Sequence, residues 1–165
     1  MCGIAGFVDL SGRLPLEEKL NHILEAMEFR GPDGGGTHVG RNFVVGMRRL
    51  SIIDHLGGEQ PQSNENGQIM VVQNGEIYNH RTLREKLLSK GHSFKSVSDT
   101  EVLVHGYEEW GIEGLLARID GMFAFAIVDQ NRNVLHMARD PFGEKPIYLY
   151  LDHEVFGFAS NMKAL

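Results

Sequence analysis

Met1-Cys2-Gly3-Ile4-Ala5-Gly6-Phe7 opens the chain, and much of the fold turns on how it is read. Residues 3–8 are apolar or glycine and read as a short buried strand that begins almost at the terminus. Chain ends are poorly ordered unless tied down, so such a strand would hold the residue before it still. That residue is Cys2, the single cysteine among 165 residues. Removal of Met1 would make it the N-terminus, with a thiol nucleophile and an α-amine on one residue. A free α-amine has a pKa of ~7.7–8.0 and serves as a general base near neutral pH. A lone cysteine is otherwise most often a small buried hydrophobe. The two readings separate on whether the remaining sequence builds a site around Cys2.

The length suggests one domain, large enough to bury about 70 % of its unfolded surface. A hydrophobic fraction of 42 % and a charged fraction of 23 % are those of an ordinary soluble protein. A net charge of −6 argues against nucleic acid or an anionic membrane as the main partner. One cysteine excludes an intramolecular disulfide and fits a reducing, cytoplasmic setting. The N-terminus lacks the basic and apolar regions of a signal peptide, and no apolar run approaches the ~18 residues of a membrane span.

Leu16, Leu20, Ile23, Leu24 and Met27 share one helical face, with Pro15 near its start. Residues 30–36, Arg-Gly-Pro-Asp-Gly-Gly-Gly, favour a loop. Short strands are expected at 37–40 and 43–47, a long polar loop at 55–67, and a β-branched strand at 69–72. A helix is expected at 82–89. Ser98-Asp99-Thr100-Glu101 has the form of a capping box opening a helix whose Val102, Leu103, Gly106, Tyr107 and Trp110 share a face. A second short helix is placed at 113–118, and strands at 122–128, 134–138, 146–151 and 155–159. Strand runs at both ends with helices in two groups do not give the alternation of a doubly wound sheet. They favour a layered α+β fold with largely antiparallel sheets.

Several stretches carry polar chemistry, each with an ordinary explanation beside it. Asn74-Gly75 is the strongest short-range hairpin signal, yet its amide side chain and backbone N–H could also form an oxyanion hole. Arg49, in an apolar stretch, can fork onto a carboxylate, although isolated arginines more often form surface ion pairs. Asp99 at a helix start is an ordinary first-turn acid, and Glu76 beside the turn favours neither reading. The eight histidines form no H-x-H or H-E-x-x-H pair, so no metal ligand set is expected. The triple glycine is not followed by Gly-Lys-Ser/Thr, which excludes a P-loop, and there is no G-x-S-x-G. Cys2 is left as the best nucleophile.

Seven stretches then occur in a shared order: Met1-Cys2-Gly3-Ile4, Arg30-Gly31-Pro32-Asp33, Arg49-Leu50-Ser51-Ile52, Asn74-Gly75-Glu76-Ile77-Tyr78-Asn79, Ser98-Asp99-Thr100-Glu101, Gly121-Met122-Phe123-Ala124-Phe125-Ala126 and Arg139-Asp140-Pro141-Phe142-Gly143-Glu144-Lys145-Pro146. Together they resemble the glutaminase domain of class II glutamine amidotransferases, in particular the N-terminal half of glutamine-dependent asparagine synthetases. The resemblance implies the N-terminal nucleophile hydrolase fold, a four-layer αββα sandwich with two mostly antiparallel sheets. It implies Cys2 as nucleophile with its own α-amine as base, and the Asn74 side chain and Gly75 N–H as oxyanion hole. Arg49 would hold the α-carboxylate of L-glutamine, Glu76 and Asp99 its α-ammonium, and the backbone around Leu50 and Ile52 the rest of the pocket. Arg30 and Met122 resemble residues near an ammonia channel.

The implied activity is hydrolysis of the glutamine amide through a γ-glutamyl thioester, supplying ammonia for asparagine synthesis or a related ATP-dependent amidation. The expectation is a glutaminase domain at 1–165 whose synthetase partner, absent from this chain, belongs to a longer polypeptide or acts in trans. That partner would hold ATP and Mg; the glutaminase domain itself is expected to need no cofactor. An apolar surface near the C-terminus would meet it, and a homodimer is compatible with the same arrangement. Met47, Glu144 and Asn161 depart from the family pattern, the last two bearing on acceptor specificity and domain docking rather than on glutamine hydrolysis. Two other readings fit these residues: an N-terminal nucleophile amidase for another amide, and a non-catalytic module that has kept the fold.

Overall fold

A computed structural model describes residues 1–12, 14–52, 54 and 57–165. The opening strand forms as expected. β1 (Gly3–Asp9) lies at the centre of a five-stranded sheet, flanked by β3 (Phe43–Arg49) and β9 (Val155–Ala159). β2 (Gly34–Val39) and β8 (Tyr148–Leu151) form its edges. The second sheet runs β4 (Gln62–Ser63), β5 (Ile69–Ile77), β6 (Gly121–Asp129) and β7 (Val134–Arg139). Among the described residues every ladder between strands is antiparallel.

The helix α1 (Leu16–Ala26) lays its apolar face on the first sheet, where Leu20, Ile23, Leu24 and Met27 meet Ala5, Phe7 and Val44. The helices α2 (His80–Ser89) and α3 (Glu101–Leu116) cover the second sheet through Leu83, Leu87, Leu103 and Tyr107 against Val71, Phe125 and Ile127. Between the sheets lie Ile4, Val45, Met47, Met70, Val72, Ala126, Val128 and Phe158. The order helix, sheet, sheet, helices is the αββα sandwich.

Successive side chains of a strand point to opposite faces, and this alternation decides where the polar residues go. Ile4 of β1 faces the space between the sheets, and Cys2, two residues earlier, packs into the same cluster. Val45 and Met47 of β3 face it too, so Arg49 at the strand's end continues that row. On β5, Met70 and Val72 are followed by Asn74 and Glu76. Cys2, just before β1, and the last inward residues of β3 and β5 thus meet at one end of the sandwich.

Several local expectations are overturned. Asn74-Gly75 is no hairpin turn: β5 runs through it, and Gly75 pairs with Phe123 in an unbroken ladder to β6. Gly75 has φ of 151° and lies against β6 so closely that a Cβ there would stand 2.1 Å from the Met122 carbonyl oxygen. The glycines at 34–36 are strand rather than loop, since a Cβ on Gly36 would meet the Gln60 carbonyl at 2.2 Å. The expected loop at 55–67 contains β4, with His55 and Leu56 outside the described residues. The last expected strand but one starts at Tyr148 rather than at 146. The helix expected at 113–118 continues α3 to Leu116 beyond a break at Gly111, whose φ is 69°. The capping box does not form either. Thr100 is the N-cap without a side-chain bond, and the Glu101 carboxylate instead accepts from the backbone N–H groups of Lys95 and Ser96 and from the Ser96 hydroxyl.

The Arg139-to-Pro146 stretch turns around the buried Asp140. Its carboxylate accepts from the backbone N–H groups of Phe123, Phe142, Glu144 and Lys145 at 3.0–3.3 Å. Burial pushes this carboxyl up, but the four donors outweigh it and hold it below the ordinary 3.8. A depressed folded-state pKa adds stability that is present above the unfolded value and is lost as pH falls through the folded one. Asp140→Asn is therefore expected to cost about 1–3 kcal/mol at neutral pH and to flatten the acid limb below pH 3.8, read by urea unfolding across pH.

Candidate active site

At the end of the sandwich to which those rows point, a cavity is lined by Cys2, Arg49, Leu50, Ile52, Asn74, Gly75, Glu76, Asp99 and Met122. Every residue singled out from sequence for catalysis or substrate contact is on its wall. Cys2 is half-buried, with Sγ against the Leu50 backbone: Leu50 N–H donates to it at 3.4 Å, and the thiol faces Leu50 O at 3.6 Å. Arg30 donates from Nε to the Cys2 carbonyl at 3.1 Å. Arg30 itself is not on the wall; it fixes the main chain of Cys2, and burial lowers its pKa. The Arg-Gly-Pro-Asp stretch has the same role further along. Asp33 N–H donates to Arg49 O at 3.0 Å, and Asp33 Oδ2 accepts from Ser51 N–H at 2.8 Å.

Asn74 is 1 % exposed, and among the described residues its Nδ2 has no hydrogen-bond partner. A buried donor without a partner costs about 1–3 kcal/mol, which a fold tolerates where the donor is needed by something else. Arg49 is a buried residue of the same cavity wall, one guanidinium nitrogen donating to Asp54 O at 2.5 Å. Asp99 comes from the segment before α3. Its Oδ2 accepts from Ile77 N–H at 2.8 Å and from Gln73 Nε2 at 3.4 Å. Burial pushes the Asp99 carboxyl up, against the pull of the Ile77 N–H, of His80 and of Gln73.

Further wall residues carried no local signal. Gln60 bridges the walls, its Oε1 accepting from Gln73 N–H at 2.6 Å and its Nε2 donating to the Thr100 hydroxyl at 3.1 Å. Lys145, delivered by the Asp140 turn, points its Nζ to Met1 Sδ at 3.9 Å, so both sit at the cavity. Gln60 and Lys145 reach the site through topology rather than through neighbours in sequence. The edge of the first sheet is apolar and open: Leu149 and Leu151 of β8 are 60 % and 68 % exposed, and Phe142 is 89 % exposed.

An αββα sandwich of two antiparallel sheets whose central strand begins directly after Cys2 has the N-terminal nucleophile hydrolase fold. The fold matches the glutamine phosphoribosylpyrophosphate amidotransferase of B. subtilis with a TM-score of 0.82, at 22 % identity over 99 % of this chain and 42 % of that one. The family model for the glutamine amidotransferase domain matches residues 1–165, and the chain belongs to that family. Its whole length is 45 % identical to part of "Asparagine synthetase [glutamine-hydrolyzing] 2" of Bacillus subtilis (strain 168) and 43 % identical to part of the protein of the same name in Arabidopsis thaliana. It spans only 22 % and 28 % of those two proteins. Among the described residues no helix is long and apolar enough to cross a membrane.

Proposed function

We propose that this domain hydrolyses the side-chain amide of L-glutamine and passes the ammonia to a synthetase domain, for asparagine synthesis or a related ATP-dependent amidation. The observation that carries this reading is one cavity holding a thiol, an unpartnered amide donor, a guanidinium and two carboxylates. Met1 is part of this sequence, so the working form begins at Cys2 once that residue is removed. The freed α-amine takes the thiol proton, and Sγ attacks the amide carbon of glutamine. Negative charge gathers on the carbonyl oxygen, where Asn74 Nδ2 and the Gly75 N–H donate to it. The tetrahedral species collapses with return of the proton to the leaving nitrogen, releasing ammonia and a γ-glutamyl thioester on Cys2. Water, deprotonated by the same amine, then frees glutamate. Arg49 pairs with the α-carboxylate of the substrate, and Glu76 and Asp99 with its α-ammonium. Met122, which lines the same cavity, is assigned to the start of the path by which ammonia leaves. The exposed β8 edge suits an apolar contact with the synthetase domain.

Incubation with L-glutamine should yield equimolar glutamate and ammonia from chain that begins at Cys2; absence of both products overturns the proposal. The elevated pKa of Asp99 adds a second expectation. The substrate ammonium needs the ionised carboxylate, so kcat/KM falls on the acid side at a higher pH than an ordinary aspartate would give. Asp99→Asn should raise KM roughly 10–100-fold and remove that limb from the pH profile. A carboxyl whose folded pKa is raised makes the folded state less stable as pH climbs from 3.8 through the folded value. The same variant is therefore expected to be more stable than the parent at neutral pH in the absence of glutamine.

A further inference from the structure

Away from this cavity, on the outer side of the second sheet, four potential ligands converge from three segments. Glu65 lies before β5, His92 follows α2, and His105 and Glu108 stand on α3. One donor atom from each lies within 4.8 Å of all the others. The sequence holds no H-x-H or H-E-x-x-H pair, so no metal ligand set is expected from it; the fold brings these four together from distant positions. We propose that this cluster binds a divalent transition-metal ion of the zinc type.

His105 is the central observation. Its side chain is 1 % exposed, and among the described residues neither ring nitrogen has a hydrogen-bond partner. Nδ1 faces Glu65 Oε2 at 3.7 Å, too long for a hydrogen bond, and Nε2 faces Glu101 Oε1 at 3.5 Å, at the outer limit of one. A buried imidazole left unpaired is costly, and an ion between Nδ1 and Glu65 removes the cost. His92 repeats the pattern, with Nδ1 3.9 Å from Glu108 Oε2 and Nε2 3.5 Å from Glu109 Oε2.

Both carboxylates are already oriented as ligands. Glu65 Oε1 accepts from Ser93 N–H at 2.9 Å, leaving Oε2 toward His105. Glu108 Oε1 accepts from Asn64 Nδ2 at 3.2 Å, leaving Oε2 toward His92. The outer carboxylates complete the arrangement, since metal-bound histidines commonly donate their second N–H to a carboxylate. Glu101 stands behind His105 and Glu109 behind His92, and Lys90 is engaged with Glu109 at 2.6 Å. Four carboxylates around two imidazoles leave an excess of negative charge for a cation. Tetrahedral N/O ligation at ~2.0–2.2 Å places donors roughly 3.3–3.5 Å apart. The contraction this requires falls on Glu65 and Glu108, whose side chains are 42 % and 35 % exposed and can pivot about the oxygen each already has hydrogen-bonded.

The test is calorimetric titration of Zn2+ into the 165-residue chain, the Cys2→Ser variant, Glu65→Gln and Glu108→Gln. The proposal predicts one equivalent bound at micromolar affinity or tighter. That affinity should be unchanged in Cys2→Ser and weakened at least on the order of 10-fold in each glutamine variant. Ring 15N resonances of His92 and His105 should shift in step with the titration. Both glutamine substitutions fall on exposed side chains, and circular dichroism checks that the variants are folded. Absence of stoichiometric binding, loss of binding in Cys2→Ser, or full affinity in either glutamine variant overturns it.

Discussion

Cys2→Ala is expected to lower glutamine hydrolysis by roughly 10⁴–10⁶-fold, with folding intact. Among the described residues the thiol's hydrogen bonds are two long ones to the Leu50 backbone, at 3.4 and 3.6 Å, and alanine keeps an apolar side chain against the cluster between the sheets, so its loss costs the structure little. The activity cost is large because the described cavity holds no second nucleophile with a base beside it. Ser98 and Thr100 also reach the wall, but their hydroxyls are occupied by Thr100 N–H and by Gln60 Nε2. Enzyme-coupled ammonia release, with circular dichroism on the same samples, measures both quantities. An alanine variant that is folded and retains parental activity removes Cys2 from the mechanism.

Asn74→Ala should reduce kcat by roughly 10²–10³-fold, or about 3–4 kcal/mol of transition-state stabilisation. KM should change little, because the oxyanion exists only after attack. Stability provides the control. Asn74 Nδ2 is buried without a partner among the described residues, so replacing the amide by a methyl group removes a desolvated donor. The variant is expected to be at least as stable as its parent while nearly inactive, a combination that a purely structural asparagine would not give. Gly75 cannot be probed as cleanly. Alanine there would take φ of 151° and press its Cβ to 2.1 Å from Met122 O, displacing β6. Steady-state kinetics and thermal unfolding of Asn74→Ala therefore carry the test of the oxyanion hole.

The elements legible in the sequence are those whose periodicity agrees with their environment. α1 shows its buried face at Leu16, Leu20, Ile23 and Leu24 without interference, and β6 is an apolar run buried on both sides. Asn74-Gly75 misleads because the local preference for a hairpin is worth less than the ladder that pairs Ile69–Ile77 with Gly121–Asp129 from end to end. Ser98–Glu101 misleads in a similar way, since Glu101 is recruited to hold the turn at Lys95 and Ser96 rather than its own helix start.

The site residues named in advance were legible only as an ordered set of motifs; singly, each had an ordinary explanation. The alternation of β1, β3 and β5 supplies the physical reason they converge. Gln60 and Gln73 lie outside those motifs, and Lys145, though inside the Arg139-to-Pro146 stretch, had no site role expected of it. The Glu65, His92, His105 and Glu108 cluster was invisible for the same reason: its members meet only after the second sheet and its helices have packed.

The central claim is that Cys2 acts as the chain's N-terminal nucleophile, using an amine that exists only after Met1 is gone. Two homogeneous preparations, one beginning at Cys2 and one retaining Met1, test it when mixed with L-glutamine, quenched in acid and weighed intact while ammonia is followed in parallel. The chain beginning at Cys2 should release ammonia and carry one γ-glutamyl group on its N-terminal residue, and the chain retaining Met1 should do neither. Equal ammonia release from both chains, without a mass increment on Cys2, would contradict the account.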